Sequence, residues 1–554
     1  MVEFPLPELR SLIGKPLTLE ELEDVLFKIG MELEDYIKGE DICRIEITPD
    51  RTDLISVEGL ARALRAYLGI EVGLPKYEIL KPRIEVIVDS EVVKIRPYIV
   101  NAVIRDITLT EDEIKYFMNL QEKFHATYGR NRRKVAIGFY RMELIKPPIY
   151  YRAELPSEIR FAPLGFAREM SGDEIMQTHP KGLEYTFLFE NENRLPALVD
   201  SAGKYLSIPG IINSNDLGNI EAGTQDLFID MTGSHLGALK ETLNIIVTAL
   251  ADREGKIEQV RVRYPDSDLV LPNLTPKQKE LSVDYCNEIT GLKLSSKRIA
   301  ELLRRMNYDV EISDKTLKVM ISPTRTDVLH PLDIIDDVIR AYTFDKIEPV
   351  APDISTIGET LGLEKLSDKA RDIMVGLGFH EVITLILSND RDQAKLMNVD
   401  DYEFVELEGA KAIEVNIARK WIIPELMKTL RSNRHAAYPQ LIFECGDVII
   451  LDNKADTNAR NERRLAALSA HSNSGFTEIK AIVETVLRNL DTEFSFREIE
   501  HPSFISGRVV EILIERYRAG IVGEMHPIVL ENFGLRIPVS AFELNLELLE
   551  KQGL

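Results

Sequence analysis

Four aspartates in the middle of the chain have a spacing that suits a cation. Asp333, Asp336 and Asp337 stand at i, i+3 and i+4 of a helical run that opens after His330-Pro331, and Asp327 lies at the turn just before. Carboxylates this close repel one another unless a cation neutralises them, and hard oxygen donors suit Mg²⁺. Acids in the first turn of a helix also complement its dipole as solvated groups, so the spacing leaves both readings open. A second candidate is Leu227-Phe228-Ile229-Asp230-Met231-Thr232-Gly233. As a strand, it places Asp230 and Thr232 on one face and Ile229 and Met231 on the other. That polar face either meets solvent or lines a pocket. Ser207, between Leu206 and Ile208, poses the same alternative.

Other chemistry is absent from the sequence. It has no phosphate-cradling Gly-x-x-x-x-Gly-Lys loop, no dinucleotide fingerprint and no Gly-x-Ser-x-Gly elbow. His179 and His235 have no zinc spacing and read as structural. Cys43, Cys286 and Cys445 lie far apart and read as buried free thiols.

The elements that must position these residues include a repeat. Gly14-Lys15-Pro16-Leu17-Thr18, a stripe of Leu22, Leu26 and Ile29, then Pro49-Asp50-Arg51-Thr52-Asp53 and Arg65-Ala66-Tyr67 recur later. The second copy reads Gly291-Leu292-Lys293-Leu294-Ser295, Ile299, Leu303 and Met306, then Pro323-Thr324-Arg325-Thr326-Asp327 and Arg340-Ala341-Tyr342. An offset that stays near about 275 residues over about 55 positions marks a duplicated module. The first copy keeps Asp53 but lacks the later acids. Thr18 with Glu21 predicts a capping box, and helices are expected from Thr18 and over 57–68.

A chain of 554 residues suggests roughly three to four domains. The first copy fills 1–82. Residues 83–265 read as one α+β domain, with strands at 84–88, 98–104, 134–138, 185–189, 205–208 and 227–231 and helices at 111–128 and 239–253. The second copy fills 266–350. A final domain, 353–554, has a helix near 365–376 and strands at 381–387, 441–451, 509–514, 519–522 and 539–544, as in a helix-flanked antiparallel sheet.

With a net charge of -23, the chain does not wrap nucleic acid by bulk charge. Three local basic patches break the pattern. Residues 124–142 carry no acid and hold Arg130, Arg132, Arg133, Lys134 and Arg141 among Phe124, Tyr128, Phe139 and Tyr140. Between Glu414 and Glu444 the only acid is Glu425, against Arg419, Lys420, Lys428, Arg431 and Arg434; Arg460, Arg463 and Arg464 form the third. Such patches are either solvated faces or phosphate contacts. No apolar run is long enough to span a membrane and no signal core opens the chain, so a cytoplasmic protein is expected.

These motifs together resemble the β-subunit family of phenylalanyl-tRNA synthetases in its archaeal and eukaryotic form, over essentially the whole chain. Phe161-Ala-Pro-Leu-Gly165, Met170-Ser-Gly-Asp-Glu-Ile175, His179-Pro-Lys-Gly182, Leu206-Ser-Ile-Pro209 and Phe228-Ile-Asp-Met-Thr-Gly233 look like that family's editing domain. The resemblance implies an editing pocket at Leu198, Ser207, Asp230 and Thr232 that hydrolyses tyrosine wrongly esterified to tRNA(Phe). It implies a Mg²⁺ site at Asp327, Asp333, Asp336 and Asp337, shared with an α subunit. Two winged helical modules, an α+β editing domain and a class II synthetase-like sheet domain would make up the chain. In the last, Phe443-Glu444-Cys445-Gly446-Asp447 lacks the ATP-binding arginine, and no third-motif arginine stands near Gly520–Glu524. Phenylalanine activation would then belong to the α subunit in an α₂β₂ assembly. The chain departs from the family at Gly210 after Pro209, at Gly138-Phe139-Tyr140-Arg141, at the adjacent Asp336-Asp337 and at Tyr342-Thr343. The competing readings are a free-standing aminoacyl-tRNA deacylase and a non-enzymatic tRNA-binding scaffold.

Overall fold

The computed structural model describes residues 1–400, 403–409 and 415–550. The chain divides into two compact units, Met1–Ala351 and Pro352–Leu554.

In the first unit, both copies of the repeat have the same order of elements: strand, two helices, two strands, helix. The first copy has strands Val2–Pro5, Glu32–Ile37 and Ile42–Glu46, with helices Leu6–Ile13, Leu19–Lys28 and Val57–Tyr67. The second has strands Lys277–Ser282, Asp309–Ser313 and Thr316–Ile321, with helices Val283–Thr290, Ser296–Arg304 and Pro331–Tyr342. In each sheet the last strand lies in the centre. The helices start and stop where local chemistry dictates. Thr18 and Glu21 exchange both bonds of a capping box, a device that contributes about 1 kcal/mol. Gly14 and Gly291 end their helices at φ 75° and 69°, a left-handed conformation that glycine adopts without a Cβ clash. Sequence periodicity located the second and third helices of each copy but neither the first helix nor the strands.

The two copies share one core. Leu9, Leu26 and Leu60 of the first belong to the same buried cluster as Leu303, Val319 and Val338 of the second. Their Arg-Thr-Asp turns meet: the hydroxyls of Thr52 and Thr326 are 3.0 Å apart, and Thr326 donates to the Asp50 carbonyl. Arg305 donates to the Tyr67 carbonyl at 2.7 Å, and Arg340 reaches the Ile29 carbonyl at 3.0 Å.

Residues 79–271 form a ten-stranded sheet between the copies. Its order is Ile212–Asn213, Tyr205–Ile208, Leu195–Asp200, Ile149–Glu154, Ile79–Val88, Lys256–Arg263, Tyr98–Arg105, Leu227–Gly233 and Ala136–Arg141, with Asp268–Leu271 paired to Lys256–Arg263. The two edges come together: the Tyr140 hydroxyl lies 3.2 Å from Asn213 Oδ1, and Asn213 Nδ2 donates to the Phe139 carbonyl. The sheet therefore closes on itself. Its outer face packs under helices Glu111–Ala126 and Leu236–Ala251, which bury Ile229 and Met231. Its inner face buries Leu198, Tyr140, Tyr151 and Phe228 together.

The second unit is a seven-stranded sheet. Its order is His380–Glu381, Gln440–Leu451, Ala459–Ala470, Val539–Asn545, Tyr517–Met525, Phe504–Ile514 and Ser495–Glu498, antiparallel but for the first pair. Helices Gly362–Gly376 and Phe476–Asn489 cover one face and Ile423–Ser432 the other.

Three expected strands are corrected. Residues 185–189 form the end of helix Pro180–Tyr185 and a short turn Thr186–Leu188, because His179 and Pro180 start a helix that buries Tyr185. The expected strand at 381–387 reduces to His380–Glu381 and Leu387–Ser388, with Ile383 exposed between them. The strand expected at 134–138 begins instead at Ala136, because positive φ at Arg130, Asn131 and Arg132 holds the preceding residues in a turn. All three cysteines are buried and free. Among the described residues no helix is long and apolar enough to cross a membrane.

Arg253 fixes the first copy to the closed sheet. Its guanidinium pairs with Glu8, Glu58 and Glu113 on three different helices, and the Glu58 side chain is fully buried. Removing one partner of a buried pair leaves a charge uncompensated, which costs about 3–5 kcal/mol. Arg253→Met is expected to lower the urea midpoint of the first unit accordingly, and adding Glu58→Gln to recover part of the loss. Strictly additive losses would show that the unpaired charge of Glu58 is not the cause.

Candidate active site

Asp230 sits on a central strand, opposite Asn101 on one neighbour and Gly138 on the other. Alternation turns it to the inner face of the closed sheet. A Cβ built on Gly138 would stand 2.2 Å from Asp230 Oδ1 and 2.6 Å from the Tyr140 hydroxyl, so the absent side chain makes the space the carboxyl occupies. Asp230 is 3% exposed. Its Oδ1 and the Oδ1 of facing Asn101 are buried acceptors that no donor meets in hydrogen-bond geometry, the nearby Tyr140 hydroxyl being directed at Ser207 and Asn213. Burial pushes the Asp230 carboxyl up to about 6, a rise moderated by the Tyr140 hydroxyl and the charge of Arg96.

Thr232 lies two residues further along the same face. The buried Arg96 side chain donates from Nε to Thr232 Oγ1 at 2.8 Å and from Nη2 to the Thr232 and Arg132 carbonyls at 2.6 and 2.8 Å. Burial lowers this guanidinium to about 10, still protonated at neutral pH. Leu198 and Ser207 are register partners on adjacent strands, both fully buried. The Tyr140 hydroxyl lies 2.9 Å from Ser207 Oγ. The structure thus brings Leu198, Ser207, Asp230 and Thr232 to one inner face. It adds Tyr140, Asn101 and Arg96, which sequence reasoning missed. Tyr140 had a signal, an aromatic two residues after Gly138, just past the strand expected at 134–138. Arg96 had none, because its role depends on a contact across 136 residues of chain.

Of the four acids of the second repeat, Asp327 and Asp337 share one arginine, while Asp333 and Asp336 are used apart from them. Asp327 accepts two bonds from Arg325 at 2.7 and 2.6 Å. Asp337 accepts from the same guanidinium at 2.8 Å and from the Tyr308 hydroxyl at 2.5 Å. Burial would raise Asp327, but the hydrogen bond and charge of Arg325 outweigh it and hold the carboxyl below its usual range. Asp333 turns back to cap its helix through the Leu329 and His330 amides, and Asp336 pairs with Arg340. Among the described residues the one cluster of three such donors within 4.8 Å is Glu32, Glu34 and Glu46, all exposed. The aspartate set does not fit a Mg²⁺ ion held by this chain alone, because Arg325 supplies the charge that a metal would.

Much of the other two basic patches is taken up by internal ion pairs. Arg419 is buried against Glu444 at 2.7 Å and Lys428 pairs with Asp392 and Glu425, while Arg431 and Arg434 are exposed. Arg460, Arg463 and Arg464 pair with Asp452 and Glu462, with Asp447 and Glu364, and with Glu462 and Glu543. In the first patch Phe124, Phe139 and Tyr140 belong to the core, while Arg130 and Arg133 are exposed. His179 and His235 both cap helices, as acceptors for the Lys181 and Ala238 amides.

Comparison with known proteins is consistent along the chain. Residues 3–70 match the Phe-tRNA synthetase beta subunit B1 domain, 279–344 the tRNA synthetase B5 domain, and 347–546 the phenylalanyl tRNA synthetase beta chain CLM domain. The phenylalanine--tRNA ligase beta subunit of Thermococcus sibiricus is 42% identical over 544 residues, 97% of each chain. That of Methanocaldococcus jannaschii is 40% identical over 543 residues, 98% of each. The crystal structure of an N-terminal fragment of the phenylalanyl-tRNA synthetase beta-subunit from Pyrococcus horikoshii, 43% identical, matches with a TM-score of 0.60 over 61% of this chain and 99% of that one.

Two tests follow from the electrostatics. The folded state raises Asp230 above an unfolded carboxyl, so it binds more protons than the unfolded state between about pH 4 and 6. That term favours the fold below about pH 4 and is lost as pH rises through 6. Asp230→Asn is therefore expected to stabilise the chain at pH 7.5, by on the order of 2–3 kcal/mol, and to be neutral at pH 4. Equal unfolding midpoints at both pH values would contradict the buried charge. Calorimetric titration of Mg²⁺ into the chain alone is expected to show no saturable site, and a stoichiometric site abolished by Asp336→Asn would contradict the pairing described.

Proposed function

Since the chain belongs to the family of phenylalanine--tRNA ligase β subunits, and is thus part of an aminoacyl-tRNA synthetase, we propose that its closed sheet hydrolyses tyrosine wrongly esterified to tRNA(Phe), while an α-subunit partner performs the ATP-dependent attachment of phenylalanine. The observation that carries this reading is the pair of buried acceptors, Asp230 Oδ1 and Asn101 Oδ1, which face each other without a donor. Each unpaired buried acceptor costs about 1–3 kcal/mol, so the site is poised for a ligand that brings a donor into an apolar enclosure. Tyrosine differs from phenylalanine by such a donor. An apolar synthetic pocket rejects an added hydroxyl poorly, whereas a site built to bond that hydroxyl rejects the analogue lacking it by about 10⁴–10⁵.

The surrounding residues support the same chemistry. Leu198 and Phe228 offer the apolar walls for a ring. Thr232 Oγ1 already accepts from Arg96, so its own proton is free to donate to an ester carbonyl. Ser207 stands beside Tyr140 to hold the ester or the attacking water. Hydrolysis bonds the water oxygen to the carbonyl carbon; the ribose oxygen leaves and takes up a proton.

The second unit supports a bracing role in an α₂β₂ assembly. Glu444, in the segment that resembles a class II catalytic strand, accepts from Arg419 at 2.7 Å and from the Thr384 hydroxyl at 2.5 Å. Its charge is consumed inside the domain.

The test is hydrolysis of tyrosyl- and phenylalanyl-tRNA(Phe) by the chain with and without its α partner. The tyrosyl ester is expected to be cleaved selectively. Asp230→Ala is expected to lower that rate at least a hundredfold with aminoacylation intact. Cleavage that needs no partner would favour a free deacylase. No effect of Asp230→Ala would favour a tRNA-binding scaffold without this pocket.

A further inference from the structure

Just beyond Thr232 the inner-face strand ends, and a cavity of about 840 Å³ opens between its end and the 130–134 turn. Its lining includes Arg130, Arg133, Lys134, Phe187, Ser234 and His235, and no acid. In a chain of net charge -23 that is a sharp local reversal of sign. Arg130, Arg133 and Lys134 form no ion pair among the described residues. Arg133 lies over the Phe187 ring at 4.9 Å, and Lys134 over Tyr128 at 4.3 Å.

The turn is held open by construction. Arg130, Asn131 and Arg132 have φ of 50°, 52° and 65°, and L-residues rarely adopt this left-handed region in runs. The anchor is Arg132. Its buried guanidinium donates to the Ile211 carbonyl at 3.0 Å and to Glu122 at 2.8 Å, and it stacks on Tyr185 at 4.0 Å. With Arg132 turned inward, Arg130 and Arg133 on either side are left exposed at the cavity. Arg96 bonds both the Arg132 carbonyl and Thr232, so a single buried side chain ties this turn to the proposed hydrolytic face. Ser234, directly after the last strand residue Gly233 and two residues past Thr232, lines the cavity.

We propose that this cavity is the docking site for the 3′-terminal nucleotides of the tRNA whose ester reaches Asp230. Unpaired cations beside a half-buried aromatic ring at the cavity wall fit single-stranded RNA, with phosphates on the cations and a base at the ring. The proposal rests on the editing reading, because it assigns the RNA end of that same ester.

The test is binding of a fluorescein-labelled single-stranded RNA ending in CCA to the full chain across a salt series. Each phosphate neutralised on a single strand contributes about 0.7 to the slope of log K against log salt. The triple variant Arg130→Gln/Arg133→Gln/Lys134→Gln leaves Arg132 in place and is expected to bind at least tenfold more weakly, with a slope smaller by about 2. Phe187→Leu, which keeps every charge, is expected to weaken binding severalfold with the slope unchanged. Affinity and slope equal to the parent in both variants would overturn the proposal. Hydrolysis read in parallel separates the two claims. RNA binding that is lost in the triple variant, in a chain that cleaves no tyrosyl ester, would sink the editing reading and keep the RNA site. Ester cleavage with binding untouched by the triple variant would keep the editing reading and sink the site.

Discussion

The rest of the first unit depends on the contact between two Arg-Thr-Asp turns that lie 274 residues apart. Neither copy of the repeat encloses a core of its own; Leu26 and Leu60 of one and Leu303 and Val338 of the other are buried in a single cluster. Burial of that shared apolar surface is the main favourable term. It is also a topological constraint, because it pins both ends of the intervening chain. The closed sheet is built into that loop, and its strands start and finish beside the same anchored modules.

Closure of the sheet sets the chemistry. Asp230 and Thr232 have the alternation of an ordinary solvent face, yet the inward curl leaves them 3% and 0% exposed. An enclosure this dry raises the carboxyl and leaves acceptors without partners. Such groups are tolerated because their neighbours are over-determined: Gly138 makes the room, Arg96 holds Thr232, and Tyr140 bridges the two edges of the sheet. In the proposed editing reading, the stability forgone is the selectivity gained, since a ligand carrying a donor in the right place restores the lost hydrogen bonds.

The divergence of the two copies has a packing explanation that spacing could not supply. Where the second copy has Asp333 and Asp337, the first has Glu58 and Arg62. Glu58 is buried against Arg253 and Arg62 against Asp252, so this face of the first copy is an internal interface. In the second copy the same face keeps Asp336 half in solvent and lends Asp337 to Arg325. The acids that look like one cluster on a helical wheel are divided among cations and a helix cap.

The sequence by itself determined what is local and periodic. The capping box at Thr18, the duplication, the alternation that puts Asp230 and Thr232 on one strand face and most of the long antiparallel strands of the second unit are legible in residue types and spacing. It mistook 185–189 for a strand because an aromatic run has the same composition in a short helix, and it passed over Ala459–Ala470 because that strand opens with charged residues. Only the tertiary structure decided which polar face is dry, which arginine is an anchor and which is free, and which acids meet. Those outcomes depend on contacts across more than a hundred residues, such as Arg96 with Thr232 and Thr52 with Thr326. Burial and charge compensation are set by what the rest of the chain brings to a residue, and local spacing carries no record of it.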